Sequence, residues 1–71
     1  MPKLPRVSGA EVIRALQRLG FEKIRQNGSH VVMRRGSSGC VEPLHSEVKV
    51  GTLAGVLRQA GVSGDEFTGA L

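Results

Sequence analysis

The run Phe21-Glu22-Lys23-Ile24-Arg25-Gln26-Asn27-Gly28-Ser29-His30-Val31-Val32-Met33-Arg34-Arg35 carries a hairpin signal around which the rest of the chain can be placed. Asn-Gly between two strand-like runs is the strongest short-range hairpin signal, because both central residues of a type I′ turn need φ > 0. The reading is a strand over 21–26, a turn at Asn27-Gly28 and a second strand over 29–35. Alternation then sorts the second strand by face. Val31, Met33 and Arg35 share one side, and the two apolar residues make it the core side. His30, Val32 and Arg34 share the other, so His30 and Arg34 lie together on an open face.

Before the hairpin, Ser8 and Glu11 form a capping box that opens a helix. Val12, Ile13, Leu16 and Leu19 recur at helical spacing. Gly20 supplies the left-handed position that ends the helix, with Phe21 folding back on its last turn. Residues 1–7, with Pro2 and Pro5, read as an extended lead-in. After the hairpin, Gly36-Ser37-Ser38-Gly39 reads as a looser turn and 40–44 as a third strand, which Pro43 marks as an edge. Thr52 opens a second helix with Leu53, Val56, Leu57 and Ala60 on one stripe, and Gly61 ends it. Ser63 and Glu66 make a second capping box for a short helix over 65–71, whose Phe67 and Leu71 pack back on the domain.

The expected fold is α+β: a three-stranded antiparallel sheet with two helices on one face, α-β-β-β-α, and a short C-terminal helix. The expectation is one domain over 1–71. A chain of 71 residues buries only about 60% of its unfolded surface, so the core is small. With Phe21 and Phe67 the only aromatics, that core is aliphatic, and base stacking on aromatic platforms is disfavoured.

Ten Lys or Arg against six Asp or Glu leave a net charge of +4, which suits an anionic partner. The single cysteine, Cys40, rules out an internal disulfide framework and fits a reducing compartment. No metal-ligand spacing is present: His30 and His45 would need Glu42 or Glu47 to complete a site, and the pattern is not diagnostic. No cofactor is expected. No apolar run reaches membrane-spanning length and the first residues lack a signal-peptide core, so the expected location is cytoplasmic.

His30 sits among cations, with Lys23 and Arg25 before the turn and Arg34 and Arg35 after it. RNA carries its own nucleophile, the 2′-hydroxyl. Cleaving it needs a base, an acid and positive charge at the phosphorus, and no metal. His30 is the candidate base or acid. Lys23, Arg25, Ser29 and Arg34 are candidate phosphate contacts, and His45 is a second acid/base or phosphate contact. A lone histidine beside a turn is also what a solvated hairpin looks like, and on the residues alone that reading weighs more. Two other functions stay open: a non-catalytic RNA-binding module, and a basic domain that binds an acidic protein.

The ordered set Gly28-Ser29-His30, Pro43-Leu44-His45, Gly51-Thr52-Leu53, Leu57-Arg58-Gln59-Ala60-Gly61 and Glu66-Phe67 resembles the HicA toxins of bacterial toxin–antitoxin pairs. The opening Leu4-Pro5 and Ser8-Gly9, with a helix ending Leu19-Gly20-Phe21, is similar to that family too. The resemblance implies a double-stranded-RNA-binding-like fold and a metal-independent endoribonuclease, an mRNA interferase that arrests growth. It implies that His30 is catalytic, that His45 belongs to the site, and that a HicB-type antitoxin covers the His30 face. The chain departs from the family's pattern at Cys40-Val41-Glu42, where apolar β residues are expected, and at Ala54-Gly55, where longer or basic residues are common.

Overall fold

A computed structural model of the chain describes residues 4–71; the Pro2 part of the lead-in lies outside them. The order is α1 (Gly9–Arg18), β1 (Glu22–Asn27), β2 (His30–Arg35), β3 (Ser38–Pro43), α2 (Val50–Ala60) and α3 (Gly64–Ala70). The three strands form one antiparallel sheet in the order β1-β2-β3. The expected α+β architecture is the observed one.

Local chemistry explains the helix ends. The Ser8 hydroxyl accepts the Glu11 N–H at 3.1 Å, and the Glu11 carboxylate accepts the Ser8 N–H at 2.9 Å. Ser63 and Glu66 repeat the box at the start of α3. At the end of α1, Gly20 is left-handed (φ 96°) and Phe21 N–H reaches Leu16 O at 2.9 Å. Gly61 (φ 71°) and Val62 close α2 in the same way, with Val62 N–H on Leu57 O at 3.0 Å. The start of α2 differs from its sequence reading. It begins at Val50, two residues before Thr52, and Lys49 offers no side-chain cap. Just before that start, Val48 bridges Val7, its N–H on the Val7 carbonyl at 2.7 Å.

Both hairpin turns differ from their sequence reading: the first is shifted by one residue and the second is two residues shorter. Asn27 is the last residue of β1 and pairs with His30, so the two loop residues are Gly28 and Ser29. Only Gly28 has positive φ (61°), the sign pattern of a type II′ turn with glycine first rather than type I′. The Gln26 side-chain amide donates to Gly28 O at 3.0 Å and braces the turn. The second hairpin uses the same pair, Gly36 (φ 59°) and Ser37, and Arg35 already pairs with Ser38. The looser four-residue turn is therefore a tight one, and β3 starts two residues earlier than expected.

The alternation of β2 holds. Val31 and Met33 are fully buried on the helix side with Cys40, against Val12, Ala15 and Leu16 of α1, Leu53 and Leu57 of α2, and Phe67 of α3. Burying a side chain such as Phe67 stabilises by about 1.5–3 kcal/mol. Leu71, expected to pack beside Phe67, is instead exposed, one residue beyond the end of α3. Arg35 shares the core side. Its guanidinium donates to Leu19 O at 2.8 Å and lies 4.7 Å from the centre of the Phe21 ring, tying β2 to the end of α1.

Two features of the sheet depart from simple alternation. A bulge at Ile24 separates Lys23 (opposite Met33) from Arg25 (opposite Val32). One extra residue reverses the parity of the strand beyond it. And Glu42 stands opposite Val31 on the helix side, wholly buried, with no hydrogen-bond partner for either carboxylate oxygen among the described residues.

Candidate active site

His30 opens β2, held between Asn27 on one side and Pro43 on the other. The ladder continues past it: Leu44 N–H bonds Ser29 O at 2.7 Å. Its imidazole is exposed and shares the open face with Val32 and Arg34. From His30 to Arg34 is four residues of strand, roughly 13 Å.

Arg25, opposite Val32, lies on this face and is exposed. Ser29 is exposed in the hairpin loop beside His30. Lys23 is not on this face. The bulge turns it to Met33's side of the sheet, where it remains in solvent because β1 is an edge strand. Lys23 and Arg25, both expected to contact phosphate, are separated by the extra residue at Ile24 and lie on opposite faces of the sheet. The same bulge sets Glu22 opposite Arg34.

His45 follows β3 and is exposed. Its carbonyl accepts the Gly9 N–H at 2.8 Å, so its backbone is pinned to the start of α1. It does not line the cleft described next. Cys40 is buried on the helix side, and burial first, then the nearby Glu42, pushes its thiol up to about 11. A thiol so held carries no nucleophile to the open face. Among the described residues no group of three or more His, Cys, Asp or Glu is gathered as a metal site would require.

The open face is one wall of a cleft; α2 is the other. α2 packs along β3, and its flank of Thr52, Gly55 and Gln59 turns toward His30, Val41 and Pro43. The space between them is about 560 Å³, with Arg58 at its edge. A second hollow of about 570 Å³ continues along the sheet past Val32 and Ile24 to Arg34, sharing Val41 and Gln59 with the first. Its floor is apolar and in solvent: Ile24 is 53% exposed and Val41 45%. None of the described residues lining either hollow is acidic. The α2 wall is not legible in the sequence. The polar flank of an amphipathic helix shows in sequence only as solvent-facing; which neighbour it overlooks is not a local property.

The arrangement offers one titratable base in a cation-bordered cleft, open to solvent and to a polyanion. A family model for the HicA toxin of bacterial toxin–antitoxin systems matches residues 9–62, a span that contains His30, His45 and the whole of α2. Among curated proteins none gives a significant match.

Proposed function

Starting from the HicA toxin family, to which this chain belongs, we propose that it is a ribonuclease whose proton-transfer group is His30. The toxin role comes with the family. The chemistry is our reading, carried by one observation: the exposed His30 imidazole faces a hollow lined by Arg58 and by no carboxylate, with Glu22 opposite Arg34 at the other end of the sheet face.

The step needs only RNA and side chains. The 2′-oxygen attacks the adjacent phosphorus while its proton passes to a base. The O2′–P bond forms and the P–O5′ bond breaks. The leaving 5′-oxygen takes a proton, giving a 2′,3′-cyclic phosphate and a 5′-hydroxyl. His30 serves as base or acid, and the other proton partner is water or His45. Arg25, Arg34 and Ser29 hold phosphate oxygens. Charge on the nonbridging oxygens rises toward the transition state, so fixed cations favour it over the ground state. A HicB-type antitoxin would silence the protein by covering this face, its carboxylates on Arg25 and Arg34 and its apolar groups on Ile24 and Val41. The substrate is mRNA.

His30→Ala tests the reading. The side chain is exposed, so the variant is expected to keep wild-type stability within about 0.5 kcal/mol. Its cleavage of RNA should fall by about 10²-fold or more. Cleavage at the parental rate by folded His30→Ala would sink the assignment. Saturable, salt-sensitive RNA binding without any cleavage by the wild type would replace it with a binding module.

A further inference from the structure

We propose that the cleft between α2 and the open sheet face receives the base of the nucleotide beside the scissile phosphate, and that Gly55 sets the size of base admitted. The inference rests on the ribonuclease reading, and deepens it by naming what lies against His30.

Gly55 stands at the centre of α2, an eleven-residue helix. Glycine there weakens a helix relative to alanine, because it adds backbone freedom to the unfolded chain and packs nothing. The fold gets nothing in return. A Cβ built at Gly55 meets no atom within 4 Å, and its backbone is not left-handed. Gly9 is the contrast: a Cβ there would run into the Pro43 carbonyl oxygen. Gly51 and Gly69 also have free space, but they lie in the first and last turns of their helices, where a glycine matters less. Gly55 alone combines a mid-helix cost with a position on the wall facing His30. Only something entering the cleft feels its missing side chain.

The other walls indicate what enters. Val41 and Pro43 offer apolar contact, Thr52 and Gln59 offer hydrogen bonds, and Arg58 offers a charge for the phosphate. Apolar floor with polar rim suits a flat heterocycle attached to an anion. The base must be unpaired, since in a duplex its faces are stacked and cannot lie on Val41. Gln59 borders both hollows and so can read an edge of that base.

Gly55→Met, Gly55→Ala and the wild type are titrated with four short homopolymeric 2′-O-methyl oligonucleotides, which lack the nucleophile and report binding alone. A thermal melt accompanies each variant, and each is assayed on natural RNA. Gly55→Ala is expected to melt above the wild type, and Gly55→Met no lower. Gly55→Met is expected to weaken purine oligonucleotides by at least about tenfold relative to pyrimidine ones, and to move cleavage toward pyrimidine sites. Folded Gly55→Met binding all four oligonucleotides like the wild type would overturn the inference, and so would a wild type that binds none. A wild type that binds, discriminates through residue 55 and never cleaves would uphold the cleft and remove the ribonuclease reading.

Discussion

Glu42 lies directly opposite Val31 across β2 and β3, and both turn into the core under the helices. The carboxyl has no solvent and no hydrogen-bond partner among the described residues, and burial pushes it up to about 7 from 4.5. The unfolded chain loses this proton near 4.5 and the folded one near 7. Below 4.5 both states hold it, and the protein carries no penalty. Between the two values the folded state holds a proton that the unfolded state has released, so stability falls as pH rises. Above 7 the loss is complete, at about 3 kcal/mol. Urea unfolding should find the wild type more stable at pH 5 than at pH 8. Glu42→Met, of similar volume, should lose that slope and gain at pH 8. Glu11 and Glu66 do not confuse the window. Hydrogen bonds from the Ser8 and Ser63 backbones, then their hydroxyls, hold these carboxyls low, so their contribution disappears only as pH falls below 4.5. An unchanged slope in Glu42→Met would show that the carboxyl finds water or a partner.

Gly9 and Gly51 both lie in the first turn of a helix, and their alanine variants should move stability in opposite directions. At Gly9 a methyl would run into the Pro43 carbonyl oxygen and fall 2.8 Å from the Leu44 Cα, backbone that cannot swing aside. Gly9→Ala should cost about 1–3 kcal/mol and loosen the Gly9–His45 backbone hydrogen bond. Gly51→Ala meets nothing and should stabilise by less than the mid-helix value of about 1 kcal/mol. Denaturant midpoints of the two variants check this; equal shifts would mean that α1 is not pressed on the end of β3.

Three cations of the first hairpin divide by face, and RNA binding should divide them in the same way. Arg25→Ala and Arg34→Ala, on the His30 side, should each weaken binding across sequences and reduce the salt slope by about 1. Lys23→Ala, opposite Met33, should leave both nearly unchanged. Equal losses from all three would mean that RNA wraps the edge of β1 instead of lying on one face.

Much of this is legible in the sequence alone. Ser8-Glu11 and Ser63-Glu66 are caps within four residues, and the hydroxyl and carboxylate need nothing else to find their N–H groups. The alternation of Val31, Val32 and Met33 put His30 and Arg34 on one open face, because a strand reverses its side chains at every residue. Less local features read poorly. Asn27-Gly28 is a strong turn signal, yet the loop is Gly28-Ser29. One positive-φ residue suffices when glycine comes first, and Asn27 is then free to pair with His30.

The element order, the helix caps and the open face that carries His30 can be read from the chain, since each follows from periodicity or from contacts a few residues apart. Packing between distant elements is what places a bulge at Ile24 that takes Lys23 away from that face, seals Glu42 in the core, and turns the Gly55 flank of α2 toward His30. A bulge is one residue's misfit against a partner strand. A cleft is the gap left when distant apolar stripes have already chosen how to pack. Neither is written in the spacing of any single segment.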